Sequence, residues 1–187
     1  MRAIRGRRPG RAKPLVAMLV GAAVLAGCGG SRSVSAAAYV KSVCVALGSW
    51  KNTIQSAAVA LQSSGASSAS RPVAKEDYQR FISALILATR RATQKLSAAG
   101  APSVSHGSDI AAQLTRAFKQ ATRGLVKASA QAKLIRTDTV SAFQLGASAV
   151  NGELRSALQE IGRVTPGQAP ALRSAAAKEP ACRLLAG

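Results

Sequence analysis

Three cysteines, one histidine and seven carboxylates are the groups in this 187-residue chain through which nucleophilic, acid–base or metal chemistry could run. The histidine, His106, lies between Ser105 and Gly107, downstream of Gly100 and Pro102. Adjacency in sequence does not make a nucleophile and its base. The two must meet in space with a third group orienting the imidazole, and no G-x-S-x-G elbow is present to expose a serine. His106 is therefore expected to be a solvated loop residue, and no catalytic residue is assigned. The acids Glu76, Asp77, Asp109, Asp138, Glu153, Glu160 and Glu179 are scattered. With one histidine they suggest neither a zinc nor a calcium site, nor the Glu-x-x-His pairs of a di-iron bundle. No spacing argues for two carboxylates converging in a cleft, and Gly29-Gly30 is not a phosphate loop. No metal, no cofactor and no enzymatic activity are expected.

The cysteines carry more information, because their positions do. The first fourteen residues hold six basic side chains (Arg2, Arg5, Arg7, Arg8, Arg11, Lys13) and no acid, the charge pattern that opens an export signal. Residues 15–27 are all Leu, Val, Ala, Met or Gly. As a helix they would cover about 20 Å of a hydrocarbon layer about 30 Å thick, too little to span it. Residues 1–27 are thus expected to be a signal peptide. The segment ends Leu25-Ala26-Gly27-Cys28, followed by Gly29-Gly30-Ser31. This resembles the lipobox of bacterial lipoproteins. The resemblance implies that Cys28 carries acyl chains such as palmitate, becomes the first residue of the mature protein, and holds it on the extracytoplasmic face of the cell membrane. The alternative is an ordinary cleaved signal followed by a free cysteine. Arg7-Arg8 raises the twin-arginine export route, but Pro9-Gly10-Arg11 does not continue that motif well, and the general secretory route is preferred.

Without residues 1–27, 160 residues remain, with 20 Lys and Arg against all seven acids and a net charge of +13. That length suits one domain. With Cys28 acylated, Cys44 and Cys182 are left, and in an oxidising compartment the pair is expected to be a disulfide stapling the C-terminal tail to the first helix. Two free buried thiols are the alternative.

The remaining pattern describes what must position these residues. A flexible lipidated tether is expected over 28–34 and a helical domain over 35–187. Val40, Val43, Leu47, Trp50, Ile54, Ala57 and Leu61 recur in steps of three and four, one apolar helical stripe. Ser35 is the candidate N-cap, and the serine-rich run 63–70 with Pro72 is expected to end the helix. A second stripe runs through Tyr78, Phe81, Leu85, Ala88, Ala92 and Leu96, with Glu76 and Asp77 placed in its first turn. A third runs from Ser108 through Leu114, Phe118, Ala121, Leu125, Ala128, Ala132 and Ile135, and a fourth from a cap at Asp138 through Phe143, Ala147, Val150, Leu154, Ala157, Ile161 and Val164. Period-two alternation and clusters of β-branched or aromatic residues are missing. The fold is expected to be all-α, an up-and-down four-helix bundle with small Ala-rich seams. A short helix over 171–178 is expected to bring Cys182 to Cys44.

One surface pattern has functional content. Arg116, Lys119, Arg123 and Lys127 recur at helical spacing away from the Leu114, Phe118 and Leu125 face and are expected to form a solvent-facing basic stripe. Such a stripe suits anionic lipid head groups or acidic envelope polymers. A compositional origin, with arginine simply filling solvent positions, is the alternative. Nucleic acid is not expected as a partner, because the aromatics mostly fall on core stripes and not among the arginines. Trp50 and Phe118 raise the further alternative of an apolar cavity between helices.

The order of lipobox, a first helix with Tyr39, Val40, Cys44 and Trp50, a middle Gly100-Ala101-Pro102 and an ending Glu179-Pro180-Ala181-Cys182-Arg183 resembles small secreted lipoproteins of actinobacteria. That resemblance covers nearly the whole mature chain and implies compartment and fold, with no assigned activity. The expected function is a membrane-anchored, non-enzymatic binding module of the cell envelope, the alternative being a carrier of a lipid or other apolar ligand between the helices.

Overall fold

The computed structural model describes residues 33–67, 70–162 and 169–186. The expected signal peptide, Cys28 and Val164 lie outside the described residues. The chain runs β1 (Ser33–Val34), α1 (Ala36–Ser67), α2 (Arg71–Ala98), β2 (Ala101–Pro102), α3 (Gly107–Lys133), α4 (Val140–Gly162), α5 (Pro170–Lys178) and α6 (Pro180–Ala186). It is an all-α bundle.

Local chemistry sets most of the boundaries. Ser35 caps α1 as expected: its hydroxyl accepts the Ala38 N–H at 3.2 Å and its carbonyl the Tyr39 N–H at 2.9 Å. The first helix ends at Ser67, within the serine-rich run as expected, and Pro72 beyond it sits in the first turn of α2, where a residue without an N–H removes no helical hydrogen bond. Glu76 and Asp77 consequently fall beyond the first turn. The fourth helix starts after Thr139, not Asp138. The Thr139 hydroxyl accepts the Ala142 N–H at 3.2 Å, while the Asp138 carboxylate is held by Arg136 at 2.6 and 3.1 Å. After α5, Glu179 takes the Ala181 N–H on its carboxylate at 3.2 Å, and with Pro180 behind it starts α6, a helix the sequence pattern did not suggest.

The long helices alternate in direction. Lys75 donates to the Ile135 carbonyl at 2.8 Å and Gln79 to that of Ala132 at 3.3 Å, so position numbers fall along α3 as they rise along α2. The same antiparallel relation joins α3 to α4: Gly124 lies against Ala157, and Gly146 against Ile135. Each long helix packs extensively on the next in sequence, while the remaining flank of α1 is taken by α5 and α6. Two clusters fill the interior. One gathers Tyr39, Val40, Val43, Cys44, Ala92, Leu96, Leu114, Phe118 and Leu172. The other gathers Ile82, Leu85, Leu125, Ala128, Ala132, Ile135, Val150, Leu154 and Ala157.

The seam between α3 and α4 is tight because its residues are small. A Cβ on Gly124 would lie 2.6 Å from that of Ala157. At the end where α2 turns into α3, Ser33–Val34, assigned by sequence to the tether, pairs in parallel with Ala101–Pro102. The Ser103 N–H donates to the Val34 carbonyl at 2.7 Å. Gly107 closes this clasp onto α3: a Cβ there would meet the Pro102 carbonyl oxygen at 1.9 Å.

Candidate anionic-surface interface

Arg116, Lys119, Arg123 and Lys127 are all exposed on α3, with Phe118, Ala121 and Leu125 fully buried on its opposite face. None of the four forms an ion pair among the described residues. The chain holds no acid from 78 to 108 or from 110 to 137, so neither α2 beyond its first half nor α3 beyond Asp109 offers one. The ion pairs seen among the described residues lie elsewhere, Arg80 with Glu76 and Asp77 early in α2 and Arg136 with Asp138, while the His106 Nδ1 lies 3.6 Å from the Asp109 carboxylate. The Arg136 guanidinium holds the Asp138 carboxyl below its ordinary value, chiefly through their hydrogen bonds.

The stripe is broader than the sequence pattern shows. Continuing the register from the Gln79–Ala132 contact brings Arg90, exposed on the outer side of α2, level with the middle of α3, between Lys119 and Arg123. Arg91 and Lys95 line the other flank of α2, against α1. The acid-free run from 78 to 108 was the available signal for these three; assigning Arg90 to the face, and the other two away from it, required the register. Leu87 and Val126, 52% and 45% exposed, lie among these cations, one helical turn from Arg90 and Arg123 respectively. Arg116 and Lys119 also border a groove of about 610 Å³ with Leu96, Ala98, Gly100 and Ala101, beside the β1–β2 clasp.

The other candidate residues are placed as follows. His106 has a left-handed backbone, φ 56°, at the start of α3. It lines an open depression of about 990 Å³ with Ser103, Ser105, Asp109 and Gln113. The Ser103 hydroxyl pairs with that of Ser33 at 2.7 Å, and neither Ser103 nor Ser105 is hydrogen-bonded to the imidazole among the described residues. Those residues contain no group of three or more His, Cys, Asp and Glu side chains able to hold a metal. Trp50 and Phe118 meet edge to face with ring centroids 5.4 Å apart, and the indole N–H donates to the Thr89 hydroxyl at 3.1 Å. The space left beside Trp50 is about 40 Å³, room for a water or so but not for a lipid chain. Cys44 and Cys182 are disulfide-bonded, S–S 2.01 Å, tying α6 to α1. Among the described residues no helix is long and apolar enough to cross a membrane.

Compared with protein-family models, with curated proteins and with solved structures, the chain matches none.

Proposed function

We propose that this chain is the precursor of an extracytoplasmic lipoprotein, anchored through acyl chains on Cys28, whose helical domain is a non-enzymatic module binding anionic lipid or anionic polymer of the cell envelope. The observation that carries this is the face of five exposed cations, Arg90, Arg116, Lys119, Arg123 and Lys127, set on two helix segments without a single acid. Charge of one sign concentrated on two rigid helix segments raises the local concentration of counter-charged groups, and the attraction weakens as salt rises. The basic first fourteen residues, the apolar run 15–27 and Leu25-Ala26-Gly27-Cys28 support the anchor. The resemblance to actinobacterial lipoproteins agrees with this compartment.

Two measurements on protein extracted from its own membranes test the proposal. The mass of the mature chain should equal residues 28–187 plus acyl groups, less two hydrogens for the disulfide. Binding to anionic polymers and vesicles should fall steeply between about 50 mM and about 500 mM salt. A non-acylated Cys28 would overturn the anchor, and salt-independent binding the electrostatic module. An extra mass released only on denaturation would favour the carrier alternative, with its ligand outside the filled Trp50–Phe118 contact.

A further inference from the structure

We infer that the α2/α3 basic face lies flat on the anionic head groups of the same membrane that holds the Cys28 anchor, so that the domain is oriented and not merely tethered. This rests on the proposed acylation of Cys28 and goes beyond it by naming the ligand and the pose.

Two features of the fold carry the inference. The first is where the tether leaves the domain. Pairing of Ser33–Val34 with Ala101–Pro102 fixes the first described residues at the α2–α3 connection, and the Pro102 carbonyl against Gly107 fixes that clasp to the start of α3. Five peptide links separate Cys28 from Ser33, a reach of at most about 18 Å. The basic face begins beside the same clasp, since Ala101 shares a groove with Arg116 and Lys119. From Gly107, Arg116 is about 14 Å and Lys127 about 30 Å along the helix axis.

Those lengths decide the pose. A domain standing on its clasp end would hold Lys127 about 30 Å above the head groups, several times the Debye length of about 8 Å, and would waste most of the charge. Lying on the α2/α3 face brings all five cations within reach together. The second feature is the composition of that face. Leu87 and Val126 are exposed between the cations, a mixture of apolar side chains and long basic ones that suits the boundary between head groups and acyl chains. A covalent anchor also keeps the head groups at a high effective concentration, so modest attraction per residue is enough to orient the domain. A soluble polymer gains nothing from the position of the tether.

The test uses the acylated full mature protein reconstituted in vesicles of phosphatidylcholine alone or mixed with phosphatidylglycerol, with lysines labelled by an amine-reactive reagent and quantified by peptide mass. Lys119 and Lys127 should label several-fold more slowly in the anionic vesicles, with high salt restoring the rate. Lys41 and Lys178, exposed elsewhere on the domain, should label equally in both. In an Arg116→Glu/Arg123→Glu variant, checked for retained helicity, the protection of Lys119 and Lys127 should disappear while the acyl mass is unchanged. Acylated protein whose Lys119 and Lys127 label alike in both vesicles would overturn the inference and leave the lipoprotein proposal standing. So would protection by soluble polyphosphate but not by anionic vesicles. If the mass carries no acyl group, the lipoprotein proposal fails first and the inference falls with it.

Discussion

Replacing both Cys44 and Cys182 by alanine removes the cross-link without leaving a lone thiol, and its cost follows from the fold. The bond closes a loop with a sequence separation of 138, almost the whole described domain. In the chain-entropy account, releasing that constraint frees the unfolded ensemble by about 5 kcal/mol at room temperature. Against a typical domain stability of about 5 to 15 kcal/mol that is a large share. The share is larger for a bundle whose seams are lined by alanine, since each alanine buries little apolar area. With a urea dependence of about 2 kcal/mol/M for a domain of this size, the midpoint should fall by about 2.5 M. Reducing the wild-type protein should reproduce the shift, and reductant should leave the double variant unchanged. Hydrogen exchange should place the loosest amides of the variant in α6. Apart from the disulfide, that helix is held by half-buried Ala181 and Leu185 and by the Lys51 ammonium donating to the Leu185 carbonyl at 3.4 Å. A midpoint change under about 0.5 M, or one that reductant does not reproduce in the wild type, would refute the reasoning, because the cross-link would then constrain little of the unfolded chain.

Two glycines should separate backbone clash from seam packing. Gly107→Ala puts a methyl group 1.9 Å from a carbonyl oxygen of the clasp and should detach β1 from β2, seen as rapid exchange of the Ser103 amide. Gly124→Ala meets a methyl group at 2.6 Å and should force α3 and α4 apart at a cost of about 1 to 3 kcal/mol in urea unfolding; equal stability would show that the seam has slack. Alkaline stability tests a buried hydroxyl. Burial pushes Tyr39 above its ordinary value of 10.0, so the neutral phenol is favoured in the folded state. Its contribution is intact below that value and is lost as pH rises through the higher folded value. Tyr39→Phe should therefore lose less stability than the wild type as pH rises above about 10, and an identical loss in both would refute the assignment.

The helices were legible because each carries its own signal. An apolar stripe in steps of three and four, a serine cap at Ser35 and the buried face of α3 opposite Arg116 to Lys127 all depend on residues within a few positions of one another. Where two local signals competed, sequence could mislead. Pro72 both forbids helix continuation and suits a first turn; α1 ends before it at Ser67, and the start of α2 at Arg71 shows that it also opens the next helix. Asp138 and Thr139 are both good caps, and Arg136 claims the carboxylate. The cysteines were paired by elimination and compartment, and the structure joins the two that remained.

Tertiary structure decided what depends on residues far apart in the chain. Trp50 has the spacing of a seam residue whether the seam is open or filled; Phe118 and Thr89, packed in from two other helices, close it. The first strand is two residues long and has no pattern of its own, so its existence depends on Ala101–Pro102 across the domain. Arg90 joins the basic face only through the antiparallel register of α2 on α3. By itself the sequence determined the helices, the charge they carry and the cysteines available for bonding, because periodicity, composition and capping act locally. The tertiary structure decided which surfaces became core, where Ser33–Val34 docks and which cations share a face, because those follow from packing and register between distant segments.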